Sequence, residues 1–121
     1  MRLITKSNFR CPSKPLFLRL KLLPFDELVS LNSLIFMFKL QLCPQVCLLK
    51  DLFASNAQMH DYNTRQRNLF HQPRVRTFVS SNSFRIFCIK EWNKLPLDIR
   101  NSTTLSRFKT LCQTMLFKNI K

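Results

Sequence analysis

The sequence predicts a mainly α protein, a small helical domain or subdomain with at most a short β element. Three observations carry that expectation. The 121 residues include no glycine, the residue on which tight hairpin turns depend. Apolar residues recur at three and four spacing in two stretches, about 25–42 and 104–119, the period of one helix face. Pro15 to Pro24 alternates apolar and basic residues only in its second half, which leaves it open between a short strand and a short helix. A chain of this length holds one small domain or a piece of a larger one.

Residues 1–14 read as an irregular lead. Arg2, Lys6, Arg10, Lys14, Arg19 and Lys21 precede the first acid, Asp26, a superficial likeness to a transit peptide. Pro12, Pro15 and Pro24 interrupt the amphipathic helix such a peptide needs, so Met1 reads instead as a start inside a longer frame. Residues 15–54 form a helical segment. Pro15 to Pro24 fits a short strand or a short helix. Phe25 to Leu42 is a helix, with Asp26 and Glu27 complementing its N-terminal dipole. Leu28, Leu31, Leu34, Ile35, Phe38 and Leu42 form its apolar stripe, widened by Phe36, Met37 and Leu40. Pro44 suits the first turn of a second helix, Gln45 to Ala54, facing inward with Val46, Leu49, Leu52 and Phe53. Lys39, Gln41, Pro44 and Gln45 break the most apolar stretch, 31–49. It falls short of the ~20 apolar residues of a membrane span, and no membrane partner is expected.

Residues 55–82 read as a basic loop, with Arg74 to Phe78 as at most a short strand. Residues 83–121 hold a helix or turn running to Trp92, ended by Leu95-Pro96, and a C-terminal amphipathic helix of about Thr104 to Asn119. Ser83 or Asn82 is placed to cap the first, and Asn101, Ser102 or Thr103 the second. Leu105, Phe108, Leu111, Cys112, Met115 and Leu116 give the last helix its apolar stripe.

Twenty Lys and Arg stand against six Asp and Glu, a net charge of +14. Such a chain attracts polyanions. The densest cationic patch is Arg65, Arg67, Arg74 and Arg76, with Tyr62, Phe70 and Phe78 interleaved. Arginine forks bind phosphate and aromatics stack on unpaired bases. The competing reading is a solvated loop whose arginines pair with acids on another part of a larger protein. Trp92, the only Trp, reads with Leu95, Phe108, Leu34 and Phe38 as a core or docking anchor.

Catalysis is not expected. Paired carboxylates that could hold two Mg²⁺ ions are missing, since only Asp26 and Glu27 are adjacent and neighbours on a helix do not converge. Without glycine there is no phosphate-cradling or dinucleotide loop, so neither cofactor nor small-molecule substrate is implied. Cys43-x3-Cys47-x12-His60 opens like a zinc finger, but the next histidine, His71, comes too late for the pattern. Five cysteines with no regular framework read as reduced thiols of the cytosol or nucleus.

One ordered set of short motifs adds to this reading. It runs His60-Asp61-Tyr62-Asn63-Thr64-Arg65, Pro73-Arg74-Val75-Arg76-Thr77, Ser83-Phe84, Glu91-Trp92-Asn93-Lys94-Leu95-Pro96-Leu97-Asp98-Ile99-Arg100 and Ser106-Arg107-Phe108-Lys109. In order and spacing it resembles the C-terminal tail, after the polymerase, of LINE-type (non-LTR, jockey-like) retrotransposon reverse transcriptases. Pro15-Leu16-Phe17, Leu22-Leu23-Pro24, Phe36-Met37-Phe38-Lys39 and Pro44 to Leu52-Phe53 extend the likeness towards the N-terminus. The family usually carries Gly-Pro a few residues before Trp-Asn, where this chain has Cys88-Ile89, and a glycine ahead of Ser-Phe. Those losses fit an inactive copy or a diverged lineage. The family's Tyr-x-Asp-Asp or Phe-x-Asp-Asp active-site motif is absent.

The resemblance implies a non-catalytic fragment of an RNA-directed DNA polymerase, from a truncated element copy. In the parent it would support the polymerase fold or grip RNA or DNA, with the polymerase body as its partner. Two other readings stand beside it. One is a stand-alone basic nucleic-acid-binding module. The other is a helical protein-interaction module docking through the apolar faces around Leu34 and Phe108.

Overall fold

The computed structural model describes residues 1–43 and 49–120. Among them the chain is helical, with one isolated antiparallel bridge between Ser55 and Phe70 in place of a sheet. The elements are α1 (Arg2–Thr5), α2 (Ser13–Arg19), α3 (Phe25–Leu42), a 3₁₀ turn (Lys50–Leu52), α4 (Asn56–Met59), α5 (Phe78–Ser81), α6 (Phe84–Lys94), α7 (Leu97–Arg100) and α8 (Leu105–Asn119).

Proline and threonine set many of the helix starts. Pro12, Pro24 and Pro96 occupy the positions before α2, α3 and α7, where a missing N–H costs nothing. Pro15 sits in the first turn of α2, which proline tolerates for the same reason. The segment from Pro15 is therefore helical rather than a strand, and the helix begins two residues earlier, inside the expected irregular lead. Thr104 caps α8 by accepting from the Arg107 N–H at 3.4 Å, one to three residues beyond the expected caps. Thr77 caps α5 by accepting from the Ser80 N–H at 3.2 Å. That cap replaces the strand expected over Arg74 to Phe78, because no neighbouring strand among the described residues offers it a ladder.

The core is a three-helix packing in which α3 lies against both α6 and α8. Leu31, Leu34, Met37, Phe38 and Leu40 of α3 meet Cys88, Ile89 and Trp92 of α6 and Phe108, Cys112 and Leu116 of α8. The α3 stripe is shorter than expected. Leu28 and Leu42, at its two ends, are exposed, while Ser33 is buried. The expected second helix, from Gln45, falls partly outside the described residues; its described end is the 3₁₀ turn followed by buried Phe53.

Aromatic rings tie these elements into one chain of edge and face contacts. Phe84 meets Phe36 at 5.5 Å between centroids, Phe36 meets Phe53 at 6.0 Å, and Phe53 meets Phe70 at 6.3 Å. Phe70 meets Trp92 at 6.1 Å, Trp92 meets Phe108 at 5.8 Å, and Phe108 stacks on Phe38 at 4.3 Å. Such pairs contribute about 0.5–1.5 kcal/mol each beyond the area they bury.

Without glycine, lysine takes the left-handed positions. Lys6, just after α1, and Lys21, just after α2, have φ of 50° and 53°. A residue with a Cβ is strained there by about 1–3 kcal/mol. Lys21→Gly relieves that strain and gives back part of the gain as unfolded-state entropy. It is expected to raise unfolding free energy by about 0.5–1 kcal/mol in a urea titration, and an unchanged or lower value would contradict the strain.

The buried thiols give the fold a pH signature. Burial pushes the Cys112 thiol up to about 11. Burial also raises Cys88, against a partly offsetting hydrogen bond with Ser33. A thiol with its folded pKa above the unfolded value of 9.0 stabilises fully below pH 9, and that contribution disappears as pH rises through about 11. Stability should therefore fall across this interval, and fall less in Cys112→Ala, as read from urea midpoints at successive pH values.

Candidate nucleic-acid interface

The basic loop is a closed structure rather than a slack connection. The Asn56 N–H donates to the Leu69 carbonyl at 2.9 Å, the Ala57 N–H to Arg67 at 3.1 Å, and the His71 N–H to Ala54 at 2.8 Å. The Asn56 side-chain amide donates to the Gln66 carbonyl at 2.9 Å. The Ser55 N–H donates to Gln58 Oε1 at 3.0 Å, which fixes the first turn of α4. These bonds pull 54–57 against 66–71 and leave 58–65 as the tip.

A single side chain then fastens the closed loop to the core. Asn93 Oδ1 accepts from the Phe70 N–H at 3.1 Å, and Asn93 Nδ2 donates to the Phe70 carbonyl at 3.0 Å. One carboxamide thus satisfies both backbone groups of one residue, as a strand neighbour would. α6 runs through Asn93 to Lys94, and the amide reaches across to residue 70. Trp92, next to it, turns the other way into the core and meets the Phe70 ring. Phe70 is thereby held from both sides.

Arg65 and Arg67 flank Gln66 on the closing side of the loop, and Arg74 and Arg76 lie on the strap that leads from it to α5. All four are exposed. Among the described residues the ion pair present is Lys94 Nζ to Glu91 Oε1 at 2.6 Å, so none of the four arginines has an acidic partner there. Asp61 is the one acid between residues 55 and 76. The loop and strap therefore carry a concentration of unneutralised guanidinium groups in water, the arrangement that phosphate contact requires.

The five anchor residues lie in the interior: Trp92 and Leu34 are 1% exposed, Leu95 and Phe38 2%, and Phe108 0%. Of the core-or-docking reading the structure shows the core side: Leu34 and Phe108 are buried in the chain's own interior, and Phe38 and Phe108 stack on one another.

Between the loop and α6 lies a cleft of about 520 Å³. Gln66, Leu69, His71, Gln72 and Lys90 line it. Of these, Lys90 of α6 carries no signal that sequence reading attached to a site. Only the nearness of the loop to α6, held by the Asn93 clamp, joins it to the arginines. Among the described residues no three His, Cys, Asp or Glu side chains converge as metal ligands, and Cys47 of the zinc-like spacing lies outside those residues. No described helix is long and apolar enough to cross a membrane.

Asn93→Ala leaves the Phe70 N–H and carbonyl without their partner and is expected to cost about 1–3 kcal/mol. Asn93→Asp keeps the acceptor but sets a carboxylate against the Phe70 carbonyl, so it should not restore stability. Urea unfolding measures both, and faster amide exchange at Phe70 locates the effect. Wild-type stability in Asn93→Ala would show that the clamp is dispensable. No family model, curated protein or solved structure matches the chain.

Proposed function

We propose that the chain is the C-terminal, post-polymerase portion of a LINE-type, jockey-like reverse transcriptase, encoded by a truncated element copy and without enzymatic activity of its own. In an intact RNA-directed DNA polymerase this portion supports the polymerase fold and grips nucleic acid through its basic loop. One observation carries the reading. The residues on which the resemblance rests are those on which the fold closes: Trp92, Asn93, Leu95 and Phe108 build the core and hold the loop. Arg65, Arg67, Arg74 and Arg76, on the same loop and strap, are exposed and free of acidic partners among the described residues. Phe78 and Val79 of α5, just after the strap, are 81% exposed, a surface that a polymerase body would cover.

A second reading, a stand-alone basic nucleic-acid-binding module, is favoured by the core itself. Its largest side chains, Trp92, Phe108 and Leu34, are buried within the described chain itself. The DNA and transcript upstream of Met1 separate the two. Polymerase-like coding sequence, broken by stop codons or cut short, is expected. Unrelated coding sequence there would overturn the first reading and leave the second.

Both readings place the nucleic-acid contact on the same four arginines. Binding that releases counterions weakens linearly in log–log salt plots, by about 0.7–0.9 per phosphate neutralised. Replacing Arg65, Arg67, Arg74 and Arg76 with Ala should make the slope shallower by about 3, with thermal unfolding unchanged because the four side chains are solvated. An unaltered slope would remove the loop from the interface.

A further inference from the structure

We infer that the cleft between the closed loop and α6 receives one unpaired nucleotide of a single-stranded nucleic acid. This deepens the proposed function and rests on its reading of the basic loop as the nucleic-acid grip.

The cleft combines three kinds of surface that a nucleotide needs together. Its lining includes apolar Leu69 and Phe70, the Phe70 ring being nearly buried against Phe53 and Trp92. It includes the loop residues Gln66, Gln72 and His71. From α6 it takes in Lys90 and Lys94. Two other lining amides are already committed to the fold: Asn93 to the Phe70 backbone and Asn56 to the Gln66 carbonyl. The Gln66, Gln72 and His71 side chains make no hydrogen bond among the described residues, so their donors and acceptors are open to a ligand. Lys94 is engaged by Glu91 at 2.6 Å, which leaves Lys90 as the lining cation without an acidic partner there. No carboxylate lines the cleft.

Carboxamides pair in a bidentate way with the edge of a base, the partly exposed Leu69 offers an apolar contact to its face, and ammonium and guanidinium groups take the flanking phosphates. Arg65 and Arg67, on either side of Gln66 in the chain, extend that cationic path beyond the cleft. The volume of about 520 Å³ lies within the ~300–1,000 Å³ range of small-ligand sites. A duplex does not offer this site what it needs. Its base edges are paired and its bases stacked, whereas single strands can splay a base into a concave surface. The sugar is not read by any group named here, so RNA and DNA single strands share the recognition.

The test uses the full chain and fluorescent oligouridylate, oligothymidylate and a blunt DNA duplex, with binding read by anisotropy at one fixed salt concentration. The cleft variant carries Gln66→Ala, Gln72→Ala and Lys90→Met, the methionine keeping the apolar stem of Lys90 on α6. Circular dichroism confirms its folding. The wild type is expected to prefer both single strands over the duplex. The cleft variant should lose roughly tenfold on the single strands, the effect of one base-edge contact, and nothing on the duplex. Equal loss on single strands and duplex, or no loss on single strands, overturns the cleft. If the four-arginine variant loses binding while the cleft variant binds as wild type, the loop stands and the cleft fails. If only the cleft variant loses single-strand binding, the cleft stands and the grip assigned to the arginines fails. A wild type that binds none of the three probes ends both.

Discussion

The structure depends on how α6 holds Phe70. Trp92 and Asn93 are neighbours in sequence, so on a helix they point about 100° apart. That divergence lets one enter the core while the other reaches back to the loop. Trp92 meets the rings of Phe70 and Phe108, and Asn93 takes both backbone groups of Phe70. A loop backbone brought against a core needs partners for its N–H and C=O groups, because leaving them unpaired out of water costs more than the bonds themselves contribute. A sheet would meet that need with a neighbouring strand. This chain meets it with one asparagine, and among the described residues the isolated bridge between Ser55 and Phe70 is the extent of its β pairing.

Composition explains why the rest follows this form. With no glycine the turns must be made by residues that carry a Cβ. Proline starts several helices, threonine caps two, and Lys6 and Lys21 accept left-handed strain. The abundant phenylalanine compensates with large side chains that bury much surface at little loss of rotamer freedom. Seven rings, from Phe84 to Phe38, form a continuous line through α6, α3, the loop and α8. Among the described residues Ser33 is the polar residue buried as a whole, and the Nε atoms of Arg85 and Arg100 are buried without a hydrogen-bond partner. The ion pair of the described residues joins exposed Lys94 to Glu91, 16% exposed, along α6. The net charge of +14 is a property of the surface and of what the surface attracts.

The long helices were legible from periodicity. Phe25 to Leu42 has the expected bounds, and the last helix begins within a residue of its expected start. The four arginines were legible from composition alone, because exposed clustered charge needs no tertiary information. What escaped was set by contacts distant in sequence or by turns too short to show a period. Asn93 bonds a residue 23 positions away, a distance at which local reasoning sees only a polar residue near a proline. The four-residue helices α5 and α7 are shorter than two turns, and no apolar stripe can mark them. Leu28 and Leu42 matched the stripe of α3 but lie exposed near its ends. Periodicity identifies a face, while the length of the covering helices decides how much of that face is buried.

The same contact that closes the fold also shapes its candidate interface. Arg65, Gln66 and Arg67 lie on a loop whose position relative to Lys90 is set by the Phe70–Asn93 pair. An asparagine with no ligand to touch is therefore a positioning residue for the cleft. Each bond it makes holds main chain, so the side chains of the neighbouring loop residues remain free. Catalytic proteins often fix a binding surface with glycine-rich backbone loops that approach the ligand directly. A glycine-free chain must present side chains instead, and here glutamine, histidine and arginine on the clamped loop stand beside Lys90 of α6. The basic composition, the absence of glycine and the single asparagine clamp are thus three parts of one arrangement, in which the proposed recognition falls to side chains and rigidity to one amide.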